Sequence, residues 1–504
     1  MMLIKLFPAE IFFCVIILIK LVLNTRLIRN SKTNFPLLYK ETFIQILILL
    51  LLVLILLLNS DINGVVFNLF YCNLETQQFK VFFLITTFIL IPFIKQSLMI
   101  QKINFIEYDI LFLFSVLSGL LIISSSDLLV VYIIIEMQAL CFYILASFRK
   151  NSAFSTEAGI KYFIFGSIFS CFFLLSLSIL YGITGTLNFY DLNLLSLFYY
   201  PKEFDSLLNV SIYFFTILFF FKLAAVPFHF WAPDVYEGSP LASTIIFSIL
   251  TKPILINLFI KWIFIIGHLY LLINNWLALT GLFSIIIGSF LALKQKRFKK
   301  LIIYSSIAQV GFILLSLSLN NYDGMVYTYF FLFVYIITSI LIWGNISYLS
   351  GFDANYNFFF KKSSNSVFIS DLINMFEYNS TFSIIFIIIF FSVGGIPPLV
   401  GFLAKIFILL ELIYAQLNSL AIFVILVSSI SIFYYIRIIK IIFFESSLNK
   451  WSNIKTNQIF FDLEYLNISF YFIILLQTFL LILFFLPENL IYLSHFFVLT
   501  STFF

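Results

Sequence analysis

Apolar runs of bilayer-crossing length recur along almost the whole sequence, and that recurrence limits what it can fold into. A crossing helix needs ~20 predominantly apolar residues. By that measure about fourteen segments qualify: 8–28, 41–59, 79–99, 108–124, 127–148, 157–183, 207–226, 241–266, 270–293, 300–319, 325–349, 380–415, 417–444 and 467–486. With 62% of its 504 residues hydrophobic and 10% charged, the chain cannot hide its apolar surface from water. The lengths of the runs point to helices, which satisfy their own backbone groups in lipid. The expected fold is an all-α polytopic membrane protein. Hydrophobicity begins almost at the first residue, so the first run is expected to be a span and not a cleavable leader.

Lysine and arginine counts alternate between successive loops, as the positive-inside tendency requires. Arg26, Arg29, Lys32, Lys40, Lys95, Lys102, Arg149, Lys150, Lys294–Lys300, Lys361, Lys362, Lys450 and Lys455 are assigned to one side. The other side takes Asp61, Glu75, Asp127, Asp191, Glu203, Asp205, Asp323 and Glu488, with Lys80 and Lys202 as exceptions. This arrangement predicts both termini on the acidic side. Four cysteines (Cys14, Cys72, Cys141, Cys171) form no paired motif, and three histidines (His229, His268, His495) are too scattered for a haem pair. Neither a metal site nor nucleic-acid binding is indicated. The seventy phenylalanines suggest an AT-rich organellar gene.

Two spans are broken by proline. FKLAAVPFHFWAPDVYEGSP (221–240) crowds Lys222, His229, Trp231, Asp234 and Glu237 around Pro227, and SVGGIPPLVGFLAK (392–405) ends on Lys405. Proline removes a backbone donor and interrupts the helical ladder. Paired interruptions in two halves of a membrane chain point to a translocation pathway. A charge near a helix centre costs ~3 kcal/mol on insertion scales, so each intramembrane charge needs a reason. Glu136 and Lys222 are best explained together, as an ion pair across two helices. Its approach or withdrawal would switch whether Lys222 holds its proton. Lys252, next to Pro253, would accept that proton and Lys405 would pass it on, with Ser305, Ser306 and Gln309 as polar stepping points. The blander readings stay open: Lys161 and Lys261 either function or snorkel to an interface. Glu411 is a structural partner or an interfacial group, and His229 either relays protons or caps the broken helix. The small polar residues also suit helix packing.

The first break, together with EAGIKYFIFGSIFSCFFLLSLSILYGITGT, KKLIIYSSIAQVGF and GGIPPLVGFLAKIFILLELI in the same order, resembles the antiporter-like chain 2/subunit N family of proton-pumping NADH:ubiquinone oxidoreductase, respiratory complex I. The resemblance covers roughly residues 108–440. The DVYEG turn and Lys405 favour this family over the sibling antiporter-like chains. It implies two inverted five-helix repeats, each with one broken helix: 108–268 and 269–445, preceded by three helices in 1–107 and followed by a loop and last helix in 446–504. Glu136, Lys222, Lys252 and Lys405 match the family's proton-channel positions, Lys161 a further one. Gln309 stands where many relatives carry histidine and holds no proton itself. The resemblance further implies a mitochondrial inner-membrane location and contacts with other membrane-arm subunits (a neighbouring antiporter-like chain and small membrane chains) and with lipids. No cofactor is expected in this chain, because NADH, FMN, iron–sulfur clusters and ubiquinone belong to other subunits.

Two other functions fit parts of the pattern. A subunit of a multisubunit sodium/proton antiporter shares the architecture, and a membrane-embedded transferase would use His229 and Asp234 as acid and base. A purely structural scaffold is the third alternative. The segments 350–378 and 445–466 are candidate partner contacts.

Overall fold

The computed structural model describes residues 7–30, 37–58, 64–66, 68–101, 103, 105–197, 205–266, 270–355, 368–373, 375–378, 380–445 and 463–501. The sequence-based contact candidates in 356–367 and 446–462, and Asp61, Lys202, Glu203, Lys361, Lys362, Lys450 and Lys455, lie outside them.

The chain is a succession of helices, in order α1 (Pro8–Asn30), α2 (Leu37–Leu58), α3 (Leu74–Ile100), α4 (Ile106–Ser124), α5 (Leu128–Ala146), α6 (Ala153–Thr184), α7 (Phe189–Leu197), α8 (Asp205–Leu223), α9 (Trp231–Gly238), α10 (Leu241–Ile249) and α11 (Thr251–Ile266). There follow α12 (Tyr270–Lys294), α13 (Phe298–Leu317), α14 (Tyr322–Asn355), α15 (Met375–Tyr378), α16 (Ser380–Gly394), α17 (Val400–Tyr414), α18 (Asn418–Phe443), α19 (Leu463–Phe485) and α20 (Glu488–Ser501). One small antiparallel hairpin, β1 (Gly64–Val66) with β2 (Phe70–Cys72), joins α2 to α3 and pairs Gly64 with Cys72.

A helix or a helix pair stands at each expected span, and the protein is a multi-pass membrane protein. Among the described residues, ten helices are long and apolar enough to cross, or eleven crossings if Phe470–Phe485 and Glu488–Leu499, bent by 86°, make one. Eleven falls three below fourteen: α1 is not among the crossing helices, and the described apolar parts of α2 and α16 are shorter than a crossing. Three charges assigned to loops belong to α3 instead: Glu75, Lys80 and Lys95 are all buried inside it. The count of basic loop residues had no means of telling a buried lysine from a solvated one.

The helices gather into two compact units. The first comprises residues 1–91, 101–276 and 495–504. In it α6 packs on α8 and α5, α4 packs on α5, and α10–α11 lie against α4, α5, α7 and α8. The apolar window of Leu241–Ile265 is 100% buried, so α10–α11 form the central rod of this unit. Helices apolar all round belong in such places. The α6 window, only 33% buried, lies outside. The second unit comprises residues 92–100 and 277–494, with α14 at its centre, packed against α13, α16, α17 and α19.

Among the described residues, each unit contains a helix that stops at a left-handed residue and restarts after a proline, and these two stops share one backbone design. In the first, Ala225 N–H bonds the Phe220 carbonyl and Ala224 N–H that of Phe221. In the second, Ile396 N–H bonds the Phe391 carbonyl and Gly395 N–H that of Ser392. These are Schellman caps, closed around a left-handed residue: Ala224 at φ 59° and Gly395 at φ 82°. The following X–Pro bond is cis in both, at Val226–Pro227 and Pro397–Pro398. The glycine at the second stop has a further reason, since a Cβ on Gly395 would fall 2.8 Å from Lys405 Cδ. Six residues on, a Cβ on Gly401 would fall 1.8 Å from the Ser392 carbonyl, so α17 leaves the break against the backbone of α16.

The caps therefore respond oppositely to exchange. Ala224→Gly is expected to raise stability by about 1 kcal/mol, because alanine pays for the left-handed conformation and glycine does not. Gly395→Ala is expected to lower it by about 1–3 kcal/mol through that conformation and the crowding of Lys405. Thermal unfolding of the detergent-solubilised protein, followed for both variants, measures the difference in sign.

Candidate functional site

The first break carries most of the residues singled out from the sequence. Lys222 is half-buried in the last turn of α8, where the freed carbonyls of a helix C-terminus favour a cation. Phe221 beside it stacks on Phe169 of α6 with ring centroids 4.2 Å apart, which fixes the helix end. Glu136 lies half-buried in the middle of α5. Its charge is within electrostatic reach of Lys222, yet no hydrogen bond or ion pair joins the two among the described residues. The expected direct pair is thus not closed, because α5 and α8 each pack on α6. The Oε1 atom of Glu136 is buried and receives no hydrogen bond. Tyr132, Tyr143 and Tyr162 are the other polar groups whose electrostatics include Glu136.

An aromatic block closes the break. The Trp231 indole N–H donates to the Phe221 carbonyl at 2.9 Å, supplying a second partner to a carbonyl the cap already uses. The Trp231 ring stacks on Tyr162 of α6, 4.7 Å apart and 2° from parallel. Tyr143 of α5 meets the same Tyr162 edge-on at 4.9 Å. One tryptophan thereby joins the end of α8, the start of α9 and the face of α6.

His229 is 3% exposed in the turn between α8 and α9, with its ring against Phe230 and its Nδ1 without a partner. Capping of α9 falls to its backbone, whose carbonyl accepts from Ala232 N–H at 3.1 Å. The imidazole is not the cap. Lys161 lies at the surface of the unit, its ammonium 2.7 Å from Glu157 and 3.1 Å from Asp234 of the DVYEG turn. That pair ties α6 to α9 and was not foreseen, since 73 residues separate its ends. Lys252 stands on the central rod, 3% exposed, two residues past the junction at Leu250.

The second unit holds Lys405, 9% exposed in α17. Its ammonium donates to the Gly394 carbonyl at 2.7 Å and lies 5.4 Å above the Phe312 ring. The carbonyl it satisfies is one that the broken helix leaves open. Two small adjoining cavities, each with room for roughly one water, share Gln309, Val393 and Lys405 in their walls. Ser305, Ser431, Tyr434 and Tyr435 line one, and Tyr335, Thr338 and Ser392 the other. Ser305 and Gln309 thus meet Lys405 as the sequence suggested. Ser306 lines neither cavity; its hydroxyl bonds the Ile303 carbonyl of its own helix. Ser431, Tyr434 and Tyr435 of α18 were missed contributors; their spacing, three and four residues apart on one helix face, was their signal.

Residues 125–432 match the family described as NADH:quinone oxidoreductase/Mrp antiporter, TM. The chain is 36% identical over 352 residues to NADH-quinone oxidoreductase subunit N of Pelagibacter ubique (strain HTCC1062), covering 69% of this chain and 71% of that one. It is 34% identical over 396 residues to NADH-ubiquinone oxidoreductase chain 2 of Marchantia polymorpha, covering 76% and 77%. In fold it resembles a chain of respiratory complex I from Thermus thermophilus, with a TM-score of 0.72 at 23% identity over 96% and 98% of the chains. It also resembles a chain of the Mrp complex from Dietzia sp. DQ12-45-1b, with a TM-score of 0.78 at 18% identity over 100% and 98%.

Two substitutions separate the aromatic anchor from the surface pair. Trp231→Phe keeps a ring but deletes the donor to Phe221, and is expected to cost about 1–3 kcal/mol. Lys161→Ala is expected to cost at most about 1 kcal/mol, since exposed ion pairs contribute little. Denaturation midpoints of the two variants, measured in the same detergent, give the comparison.

Proposed function

The chain belongs to the NADH:quinone oxidoreductase/Mrp antiporter transmembrane family, and on that premise we propose that it is the antiporter-like, proton-translocating membrane subunit of a respiratory complex I. The observation that carries the reading is the pair of matched helix breaks, each with a lysine beside it. The likeness in fold does not separate complex I from the sodium/proton antiporter assemblies, because both match at similar TM-scores. What favours complex I is the identity above 30% to proteins named subunit N or chain 2.

In this mechanism Glu136, Lys222, Lys252 and Lys405 hold and pass protons. Glu136 is in reach of Lys222 but not in contact with it. A shift of α5 relative to α8 would close the pair and hold a proton on Lys222, and separation would release it. Lys252 receives it on the central rod. Lys405, bound to a helix-end carbonyl and facing cavities the size of a water, hands its proton to Gln309-bound water or to the hydroxyls of Tyr434, Tyr435 and Ser305. Gln309 itself orients water and carries no proton. His229 and Lys161 have lesser parts: the buried imidazole is available to relay, while Lys161 bound to Asp234 positions α9.

The two breaks belong to two inverted repeats, 108–268 and 269–445. Moving one proton against 100 mV costs about 2.3 kcal/mol. That energy arrives from redox chemistry in other subunits, which bind NADH, FMN, iron–sulfur clusters and ubiquinone. Neighbouring membrane-arm subunits and lipids are the partners; the relative from Marchantia polymorpha named NADH-ubiquinone oxidoreductase chain 2 supports a mitochondrial inner membrane, and the alternation of basic loops supports termini on the intermembrane-space side.

The test uses the assembled complex in sealed proteoliposomes. Lys222→Ala and Glu136→Gln are each expected to lower proton uptake per NADH oxidised at least twofold, with assembly intact on native gels. Unchanged uptake, or uptake that requires sodium, would overturn the reading. Loss of assembly with normal pumping per remaining complex would mark these residues as scaffold.

A further inference from the structure

A second group of buried charges lies at the other end of the central rod of the first unit. Lys252 begins α11, and Lys261 lies nine residues on, about 14 Å along a helix. Lys261 is not at an interface, as a snorkelling lysine would be; it is 3% exposed. Its ammonium donates to the Tyr71 hydroxyl of β2 and to the Ile123 carbonyl near the end of α4 at 2.8 Å, and lies 4.9 Å from the Tyr71 ring centroid. Glu75 of α3 is 1% exposed, with Oε1 3.9 Å from that ammonium. Beside them Lys80 of α3, fully buried, is paired with Glu10 of α1 and lies 4.9 Å from the Phe7 ring centroid. Cys72, Thr76 and Gln77 are further polar groups buried there.

The group stands just inside a layer of loops. Ser126 Oγ and Asn188 Nδ2 both donate to the Asn68 carbonyl, at 2.8 and 2.6 Å, and single bridges join Phe70 to Ser125 and Asp127 to Asn188. The hairpin, the α4–α5 turn and the α6–α7 turn therefore converge over Lys261 and Glu75.

The two pairs are built differently. Lys80 and Glu10 are in direct contact, as a structural staple should be. Glu75 receives no hydrogen bond on either carboxylate oxygen from any described residue, although Lys261, which donates to Tyr71 and Ile123, lies 3.9 Å from its Oε1. An ionised carboxylate buried without donors is expensive, whereas a neutral acid is not. The pair can thus exist with the proton on the amine or on the acid.

We infer that Glu75 and Lys261 form a further proton-carrying pair, placed between Lys252 and the loop face of the first unit. The inference rests on the proton-translocation reading above. In the step, an ammonium N–H of Lys261 passes its proton to a Glu75 oxygen, leaving a neutral amine and a neutral acid. Glu75 then gives the proton to water at the loop face, and Lys261 takes its replacement from the Lys252 side. The first three helices gain a functional part, because α1 and α3 supply three of the four charges.

Lys261→Arg and Glu75→Gln, in the assembled complex in proteoliposomes, test this. Arginine keeps the charge and donors but cannot release a proton at operating pH, and glutamine keeps the shape of glutamate without its titration. At least one variant is expected to assemble to wild-type amounts, and each that assembles is expected to oxidise NADH and pump at half the wild-type ratio or less. Assembly with the full ratio in either variant overturns the inference, and so does failure of both to assemble, which would make the pair a staple. Lys252→Met in parallel separates the two proposals. If it also pumps normally, the reading of the subunit fails, and if it alone is impaired, only the Glu75–Lys261 relay fails.

Discussion

Everything distinctive here depends on backbone carbonyls set free where a helix stops inside an apolar environment. With no water at hand, each unpaired carbonyl costs several kcal/mol. The protein meets that cost in two ways. The Schellman caps satisfy two carbonyls at each stop with the chain's own N–H groups. A long side chain then reaches back from the restarted helix: Trp231 to the Phe221 carbonyl, Lys405 to that of Gly394. The chemical identity of that returning side chain decides what each break can do. An indole holds the first break shut and leaves Lys222 beside it with its charge unspent. A lysine closes the second, so its own proton is part of the structure.

The register of the two breaks sharpens the contrast. The left-handed residue, the carbonyl-bonded residue after it and the cis proline follow at equal spacing in both. Counted from the left-handed residue, Asp234 of α9 and Lys405 of α17 hold equivalent places, ten residues on. One frame therefore carries an acid at a given position in the first unit and a base in the second. In the first, that acid draws Lys161 to the surface; in the second, the base turns inward to the helix end. The two breaks thus share a backbone geometry and differ in the charge it carries.

Much of this was legible in the sequence because hydrophobic length and proline are local signals. The helices fall where apolar runs predict them, and both breaks sit at their prolines. What escaped was non-local. The Lys161–Asp234 pair, the Trp231 bond to Phe221 and the convergence of Tyr434 and Tyr435 on Lys405 each need the tertiary fold to exist. The clearest failure was Lys261. Near the end of an apolar run it looked like a residue reaching for an interface, because a sequence shows distance from the helix end but not what covers it. Here a hairpin and two turns cover that end. The same blindness assigned Lys80 and Lys95 to loops, although α3 buries both.

The position of these charges on the central rod is itself an argument about mechanism. A helix apolar enough to be buried on all sides has no need of lysine, and α10–α11 carry two. Each adds a desolvation cost that packing alone never recovers. A stabilising role would be served better by leucine at either position. On the proposed function, such charges are there for what they exchange. Because the rod touches α4, α5, α7 and α8, a change in charge at Lys252 or Lys261 acts on four helices of the first unit at once. Coupling a proton's arrival to a movement of helices then requires no dedicated moving part, only a rod whose charges its surroundings must answer.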